Sequence, residues 1–154
     1  MTSDQSRSVR HRGREAALQL LYQWEVGSEG VTRSDEGSEG FWDSHPAPTC
    51  RKFATELVNG TTEHLATIDP LLESTATNWR LDRMALIDRL IMRMAMYELI
   101  YTDTPKAVII DEALELAKTF SGDEAVAFIN GILDGACRRL EHEAGSVKQQ
   151  PAEG

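Results

Sequence analysis

The stretch MALIDRLIMRMAMYELIY, from Met84 to Tyr101, decides the fold of this chain. Fourteen of its eighteen residues are apolar and none is glycine or proline, which predicts a helix. On a helical wheel of about 100° per residue, Asp88, Arg89 and Arg93 share one arc of roughly 140°, and only Glu98 lies outside it. Four charges argue against a membrane span. We therefore expect a central helix that other helices wrap, in an all-α bundle.

Helical spacing continues on both sides of this stretch. A first helix is expected to begin between Val9 and Gly13 and to end near Val26, with a core stripe at positions 17, 20, 21 and 24. A possible break falls at Asn59-Gly60. Cap residues place further helix starts at Asp69-Pro70, Asp82, Thr104-Pro105 and Ser121, the last forming a capping box with Glu124.

These patterns predict a compact bundle of about seven helices in two packed subdomains of three to four helices each. The N-terminal half is expected to cover residues 9–79 and the C-terminal half residues 82–143. An acidic loop rich in glycine and serine should occupy 27–48. Residues 1–8 and 144–154 are expected to be a disordered basic arm and a disordered tail.

The charge of the chain is strongly polarised. The net charge is -9 over 154 residues, yet residues 1–14 contain four arginines against one aspartate. A basic opening on an acidic body suggests a polyanion ligand for the first and a basic partner for the second. The alternative is a disordered tail that merely contains arginines.

Catalytic patterns are absent from the sequence. There is no nucleotide-binding glycine loop, no zinc-protease motif and no nucleophile elbow, and the four histidines lack metal-ligand spacing. Cys50 and Cys137 belong to no ligand pattern and are interpreted as reduced and structural. We expect no enzyme activity, no cofactor and no metal. Without a signal peptide, the expected location is the cytoplasm.

Four motifs, in order, resemble the NusB family of transcription antitermination factors. RGREAALQLLYQW at 12–24 is similar to its arginine-rich opening and first helix, and IDRLIMRMAMYEL at 87–99 is similar to its central helix. TPKAVIIDEALELAKTF at 104–120 and FINGILD at 128–134 are similar to its last two motifs. The resemblance covers most of the chain, and the loop after the first helix is its poorest match.

The resemblance implies a function without catalysis. Members of the family pair with a small-subunit ribosomal protein, NusE, and the pair binds the boxA element of nascent RNA. They thereby help RNA polymerase, which they contact indirectly, to read through terminators, mainly in ribosomal RNA operons. Some relatives form dimers, so both a monomer and a homodimer stay open.

The resemblance also implies site residues. The residues expected to bind RNA are Arg10, Arg12, Arg14, Tyr22, Asp88, Arg89, Glu124 and Phe128, and those expected to bind the protein partner are Asp82 and Asp88. Arginines would contact phosphates and aromatic rings would stack on unpaired bases. The hypothesis requires Arg12, Arg14 and Phe128 to lie on connected surfaces.

Other interpretations remain open at this point. A neighbouring helix could cover Tyr22, and Arg89 and Arg93 could form a solvated seam. The row of Phe128, Gly131 and Gly135 fits either close internal packing or a ligand. At the level of function, the alternative is a protein-interaction module that does not itself bind RNA, similar to the helical domain attached to some RNA cytosine methyltransferases. A small enzyme is a further alternative.

Overall fold

The computed structural model describes residues 3–27, 48–76 and 80–149, with side chains described from 8 to 143 inside these ranges except at 48 and 49. They contain six α-helices, one 3-10 turn and no strand. The elements are α1 (Ser3–Val26), α2 (Pro48–Glu63), α3 (Leu65–Thr75), the 3-10 turn (Leu81–Arg83), α4 (Leu86–Tyr101), α5 (Lys106–Phe120) and α6 (Asp123–Gln149). The all-α prediction is confirmed, with a helix number near the expected seven. Most of the predicted acidic loop, at 28–47, lies outside the described residues.

Helix α4 is the centre of the fold. It packs against all five other helices in the described part of the chain. Its apolar side chains at 90, 91, 92, 94, 95 and 96 are almost completely buried, and so is the charged Glu98. A helix that is apolar over most of its circumference can only be stable inside a bundle, so the interpretation of this stretch as the central helix is confirmed.

Both terminal helices extend further than the sequence suggests. Helix α1 begins at Ser3, not between Val9 and Gly13, and α6 continues to Gln149. The structure describes 3–8 and 144–149 as helical, where the sequence analysis expected a disordered arm and a disordered tail. Extending an existing helix costs little, because each added residue forms one hydrogen bond, and Val9 packs against the core close to this start.

Helix α2 runs through Asn59-Gly60, where a break was expected, and ends at Glu63. Gly60 is needed for close packing: a Cβ atom there would lie 2.2 Å from Cζ of Tyr97. The chain breaks at His64, whose Nδ1 donates to the carbonyl oxygen of Gly60 at 2.7 Å. A glycine inside a helix here reflects a neighbour that leaves no room for a side chain.

The predicted helix starts were mostly wrong. Pro70 lies inside α3, and Asp69 pairs with Arg93 instead of capping. Asp82 lies in the 3-10 turn, while α4 starts after Ala85 without a side-chain cap. Helix α5 starts after Pro105, one residue from the prediction. Ser121 ends α5, and Gly122, at φ 152°, turns the chain into α6. Tertiary pairing outweighs capping, which contributes about 1 kcal/mol.

Candidate nucleic-acid interface

The arginine-rich opening is held firmly against α2. Arg10 and Arg12 are exposed, and the Arg10 guanidinium lies 5.5 Å from the centre of the Phe53 ring. A Cβ atom at Gly13 would lie 2.6 Å from Cδ1 of Phe53, so glycine allows the two helices to meet. Arg10 and Arg12 therefore belong to a helix that is packed against α2, and they present their charge to solvent from a fixed position.

Arg14 does not share this exposure. Its side chain is 2% exposed, and its Nε and Nη2 atoms donate to the two carboxylate oxygens of Glu98 at 3.0 and 2.7 Å. Apolar residues of α4 and α5, among them Ile91 and Leu116, surround the pair. The expectation that Arg14 contacts RNA is therefore corrected: its guanidinium is used inside the bundle to join α1 to α4. The interpretation of Glu98 as a buried acceptor is confirmed.

His11 joins α1 to α5. Its Nδ1 lies 2.7 Å from Oε2 of Glu112, and its Nε2 lies 2.9 Å from Oε1 of Glu15. The hydrogen bond with Glu112 is the largest cause that raises the pKa of His11 above its ordinary 6.5; burial opposes it, and both carboxylates add to it. The sequence analysis missed this contact. The sequence signal was the position of Glu112, which helical spacing places on the same side of α5 as Ile109 and Leu116. The structure buries this carboxylate.

This contact makes stability depend on pH. Because the folded pKa of His11 is raised, its ion pairs stabilise the fold fully below about pH 6.5, and that contribution is lost as the pH rises through the raised value. With 34% of the side chain exposed, we expect less than about 1 kcal/mol. Urea unfolding of the wild type and His11→Gln near pH 6 and pH 8.5 measures it. The two proteins should differ more at the lower pH, and parallel pH profiles would contradict this assignment.

Tyr22 is on the surface, with 41% of its area exposed, so no neighbouring helix in the described part of the chain covers it fully. Leu18, which precedes Tyr22 by about one turn of α1, is 1% exposed. This side of the helix is buried at Leu18 because α1 packs against both α2 and α4, and it presents Tyr22 to solvent nearer its C-terminal end.

The polar stripe of α4 is an internal network. Arg93 donates to both carboxylate oxygens of Asp69 in α3, at 2.9 and 2.8 Å. Glu25 of α1 lies 3.6 Å from Arg89 and 3.8 Å from Arg93. Arg89 also donates to the carbonyl oxygen of Leu81 at 2.9 Å. The interpretation of Arg89 and Arg93 as a solvated seam is wrong. The Arg89 side chain is only 16% exposed, and its ion pair with Glu25 joins α4 to α1.

Asp88 and Asp82 differ in exposure. Asp88 is 9% exposed, and its Oδ1 has no hydrogen-bond partner in the described part of the chain. It occupies the first turn of α4, where the helix dipole favours a carboxylate. Asp82 is open to solvent and lies 3.4 Å from Arg80. Of the two expected partner contacts, Asp82 is therefore the accessible one.

The start of α6 presents an acid and an aromatic ring. Glu124 is exposed in its first turn, and Phe128, one turn later, is half-buried against the core. The glycines that follow are not equivalent. A Cβ atom at Gly135 would lie 3.0 Å from Cγ2 of Thr75, whereas one at Gly131 would meet nothing within 4 Å. Close packing thus explains the glycine at position 135, and it does not explain the glycine at position 131.

The directions of the helices determine which of the expected site residues lie at the same end of the bundle. Contacts from Arg14 to Glu98 and from Glu25 to Arg89 make α1 antiparallel to α4, and the short turn after Tyr101 returns α5 along α4 in the opposite direction. The C-terminal ends of α1 and α5 therefore lie toward the same end of the bundle. That end holds Tyr22, Asp88, Arg89 and Glu124. Arg10 and Arg12 lie toward the other end, about 15 Å away along α1. Since Arg14 is internal, Arg12, Arg14 and Phe128 do not form one surface. The structure does not meet the requirement that all three lie on connected surfaces, so the function proposed below relies on Arg10 and Arg12 and not on Arg14.

Two kinds of site are missing from the described residues. They contain no group of three or more histidines, cysteines or acids that could hold a metal ion. None of their helices is both long and apolar enough to cross a membrane.

The fold and this surface define a class of protein: an all-helical bundle around one buried helix, with fixed surface arginines at one end and a surface tyrosine at the other. Comparison with known proteins makes the assignment specific. A family model described as the NusB family matches residues 11–138. The chain belongs to the NusB family of transcription antitermination proteins and is not an enzyme.

Individual relatives agree with this assignment. The transcription antitermination protein NusB of Anaeromyxobacter dehalogenans is 45% identical over 130 residues, which cover 82% of this chain and 89% of that protein. The solved structure of T. maritima NusB matches with a TM-score of 0.75 and 32% identity, over 84% of this chain and 90% of that one. A chain from the structure of antitermination factors NusB and NusE in complex with dsRNA has the same fold, with a TM-score of 0.73, 22% identity and coverage of 86% and 98%.

Proposed function

We propose that this protein binds boxA-type single-stranded RNA together with the ribosomal protein NusE and thereby promotes read-through by RNA polymerase, mainly in ribosomal RNA operons. The observation that carries the proposal is the pair of exposed arginines, Arg10 and Arg12, on a helix that Gly13 and Phe53 hold in place. The contact with polymerase is indirect, through the RNA and the partner.

The parts of the surface have different roles in this proposal. Arg10 and Arg12 bind phosphates and supply affinity that falls with salt. Tyr22 and the exposed edge of Phe128 stack on unpaired bases, each contributing on the order of 1–3 kcal/mol. Glu124 accepts from a base amino group and repels misplaced phosphates, which favours specificity over affinity.

Two further residues complete the interface. Asp82 offers an exposed carboxylate to the basic ribosomal protein. Asp88 is almost buried at the same edge. Its Oδ1, which lacks a partner in the described residues, accepts a hydrogen bond only from a donor that approaches this edge closely. Arg89 reaches the same edge with the small exposed part of its side chain.

Removing the two exposed arginines tests the proposal. For Arg10→Gln combined with Arg12→Gln, we expect about tenfold or more weaker RNA binding, and a salt dependence reduced by about 0.7 per lost phosphate contact. Fluorescence anisotropy with a boxA-like strand, with and without the partner and at two salt concentrations, measures both. Arg138→Gln, an exposed cation on α6 that pairs with Asp134 of the same helix, is the matched control and should bind as the wild type does.

Three outcomes would contradict the proposal: no gain in affinity from the partner, equal losses in the control, or preference for a duplex of the same sequence. The last comparison is needed because the complex of relatives contains double-stranded RNA. Partner binding without any RNA binding would favour the protein-interaction module instead.

A further inference from the structure

Glu25 lies between two arginines of α4 without a hydrogen bond to either. Its carboxylate oxygens are 3.6 Å from Nη2 of Arg89 and 3.8 Å from Nη1 of Arg93, and 31% of its side chain is exposed. Asp69 provides a contrast, since both of its oxygens accept from Arg93 at 2.9 and 2.8 Å. Hydrogen bonds from a guanidinium to a carboxylate usually measure about 2.7–2.9 Å. Glu25 is therefore a loosely held counter-ion.

The two arginines retain donors that Glu25 does not satisfy. Nε of Arg89 and Nη1 of Arg93 are buried, and neither has a hydrogen-bond partner in the described part of the chain. A buried charged donor without an acceptor is unfavourable, so these groups are suited to an anion that accepts from both side chains. Arg89 and Arg93 are one turn apart on the same face of α4, and Glu25 already shows that one anion reaches both. A phosphate offers more acceptor oxygens than a carboxylate and matches the forked guanidinium donors.

The charges around this pair leave a place for one exchangeable anion. Asp69 neutralises one positive charge through its two hydrogen bonds with Arg93, and Glu25 neutralises the other loosely. Asp88 precedes Arg89, lies about 100° away round the helix, and forms no ion pair with either arginine in the described residues. Because Glu25 balances the arginines in the free protein, this end of the bundle need not be positive for an external anion to replace it.

The position of Glu25 on α1 connects this pair with the proposed RNA surface. Glu25 follows Tyr22 by three residues, so the two side chains are neighbours on the surface of the helix. The proposed function assigns Tyr22, which is exposed, to stacking on an unpaired base. A nucleotide whose base stacks there brings its phosphate next to Glu25.

We infer that Arg89 and Arg93 form a second phosphate-binding site, which the Glu25 carboxylate covers in the free protein. A phosphate of the bound strand displaces this carboxylate into solvent and accepts hydrogen bonds from the two guanidinium groups. The inference rests on the proposed function and adds to it a phosphate site on α4, with Glu25 as the residue that limits its affinity.

Glu25→Gln tests the inference, because it removes the competing charge and retains the shape of the side chain. We expect a boxA-like strand to bind about two- to fivefold more tightly at low salt, which corresponds to the loss of one exposed ion pair. The slope of log affinity against log salt should steepen by about 0.7 for one added phosphate contact. Fluorescence anisotropy at several salt concentrations measures both. Adding Arg89→Gln to Glu25→Gln should remove both changes.

Asp103→Asn is the matched control. It also removes one exposed acid, but in the turn that follows α4, whereas both arginines lie in the first half of that helix. Its affinity for the strand should equal that of the wild type. A second readout does not depend on affinity: the NMR signal of the Arg89 Nε–H group should shift when the wild type binds the strand, because this donor gains an acceptor. Thermal unfolding checks that each variant is folded.

An unchanged or weaker affinity of Glu25→Gln would overturn the inference, since Glu25 would then serve only to position α1. A gain of the same size in Asp103→Asn would also overturn it, because the effect would be one of overall charge, and so would a gain that survives Arg89→Gln. Failure of the proposed function has a different signature: the wild type would not bind the strand even with the partner.

Discussion

Replacing Glu98 by alanine is expected to destabilise the protein by about 3–5 kcal/mol. The change leaves the Arg14 guanidinium buried at 2% exposure without the carboxylate that accepts from its Nε and Nη2 atoms. Small domains are typically stable by only 5–15 kcal/mol, so the loss would be a large part of the total. Urea unfolding followed by far-UV circular dichroism measures it.

The matched control is Glu115→Ala, an exposed acid on α5, which should change stability by no more than about 0.5 kcal/mol. The double variant Arg14→Met with Glu98→Leu should recover most of the loss, because it removes both buried charges and fills their volume. A loss below about 1 kcal/mol for Glu98→Ala would contradict the buried-pair interpretation.

The same double variant decides the role of Arg14. If its guanidinium serves only the interior, the folded double variant should bind RNA as the wild type does. A loss comparable to that of the Arg10 and Arg12 variant would show instead that Arg14 reaches the ligand.

Gly60→Ala is expected to destabilise the protein by about 1–3 kcal/mol or more, through overpacking. A Cβ atom there would meet Cζ, Cε2 and the hydroxyl of Tyr97 at 2.2, 2.3 and 2.6 Å. The ring stacks on Tyr101 at a centroid distance of 5.6 Å, which restricts its escape. The shift in thermal midpoint relative to the wild type measures the effect.

Gly131→Ala is the control for this substitution. It is also a helix-interior glycine, but nothing lies within 4 Å of its Cβ position, so alanine should stabilise the helix by up to about 1 kcal/mol. Adding Tyr97→Leu to Gly60→Ala should make the glycine substitution less costly than it is beside the tyrosine. Equal effects at Gly60 and Gly131 would contradict the packing assignment.

Predictions from the sequence succeeded where a regular pattern carried the information. The apolar run at 84–101 predicted the central helix, and the spacing of apolar residues predicted the surrounding helices. They were less successful at helix starts. Judged from their neighbours in sequence alone, Asp69 and Asp82 resemble helix caps. In the structure, however, the Asp69 carboxylate accepts a hydrogen bond from Arg93 of a different helix.

The candidate site shows the same division. Arg10, Arg12 and Arg14 have identical chemistry and alternate along five residues of sequence, so the sequence does not distinguish them. Two are exposed and the third is buried against Glu98, 84 residues away in the chain. Whether each arginine is exposed or buried depends on which side of α1 faces α4. Contacts between residues that are distant in sequence determine that.

The sequence by itself determined the all-helical class, the central helix, the family and the basic character of the opening, because these depend on local periodicity, composition and motif order. Only the tertiary structure decided which charged side chains face solvent and which helices Arg14, Arg93 and His11 join. Arg14 and Arg93 lie inside the bundle because another helix supplies a carboxylate for each, and that partner is distant in sequence.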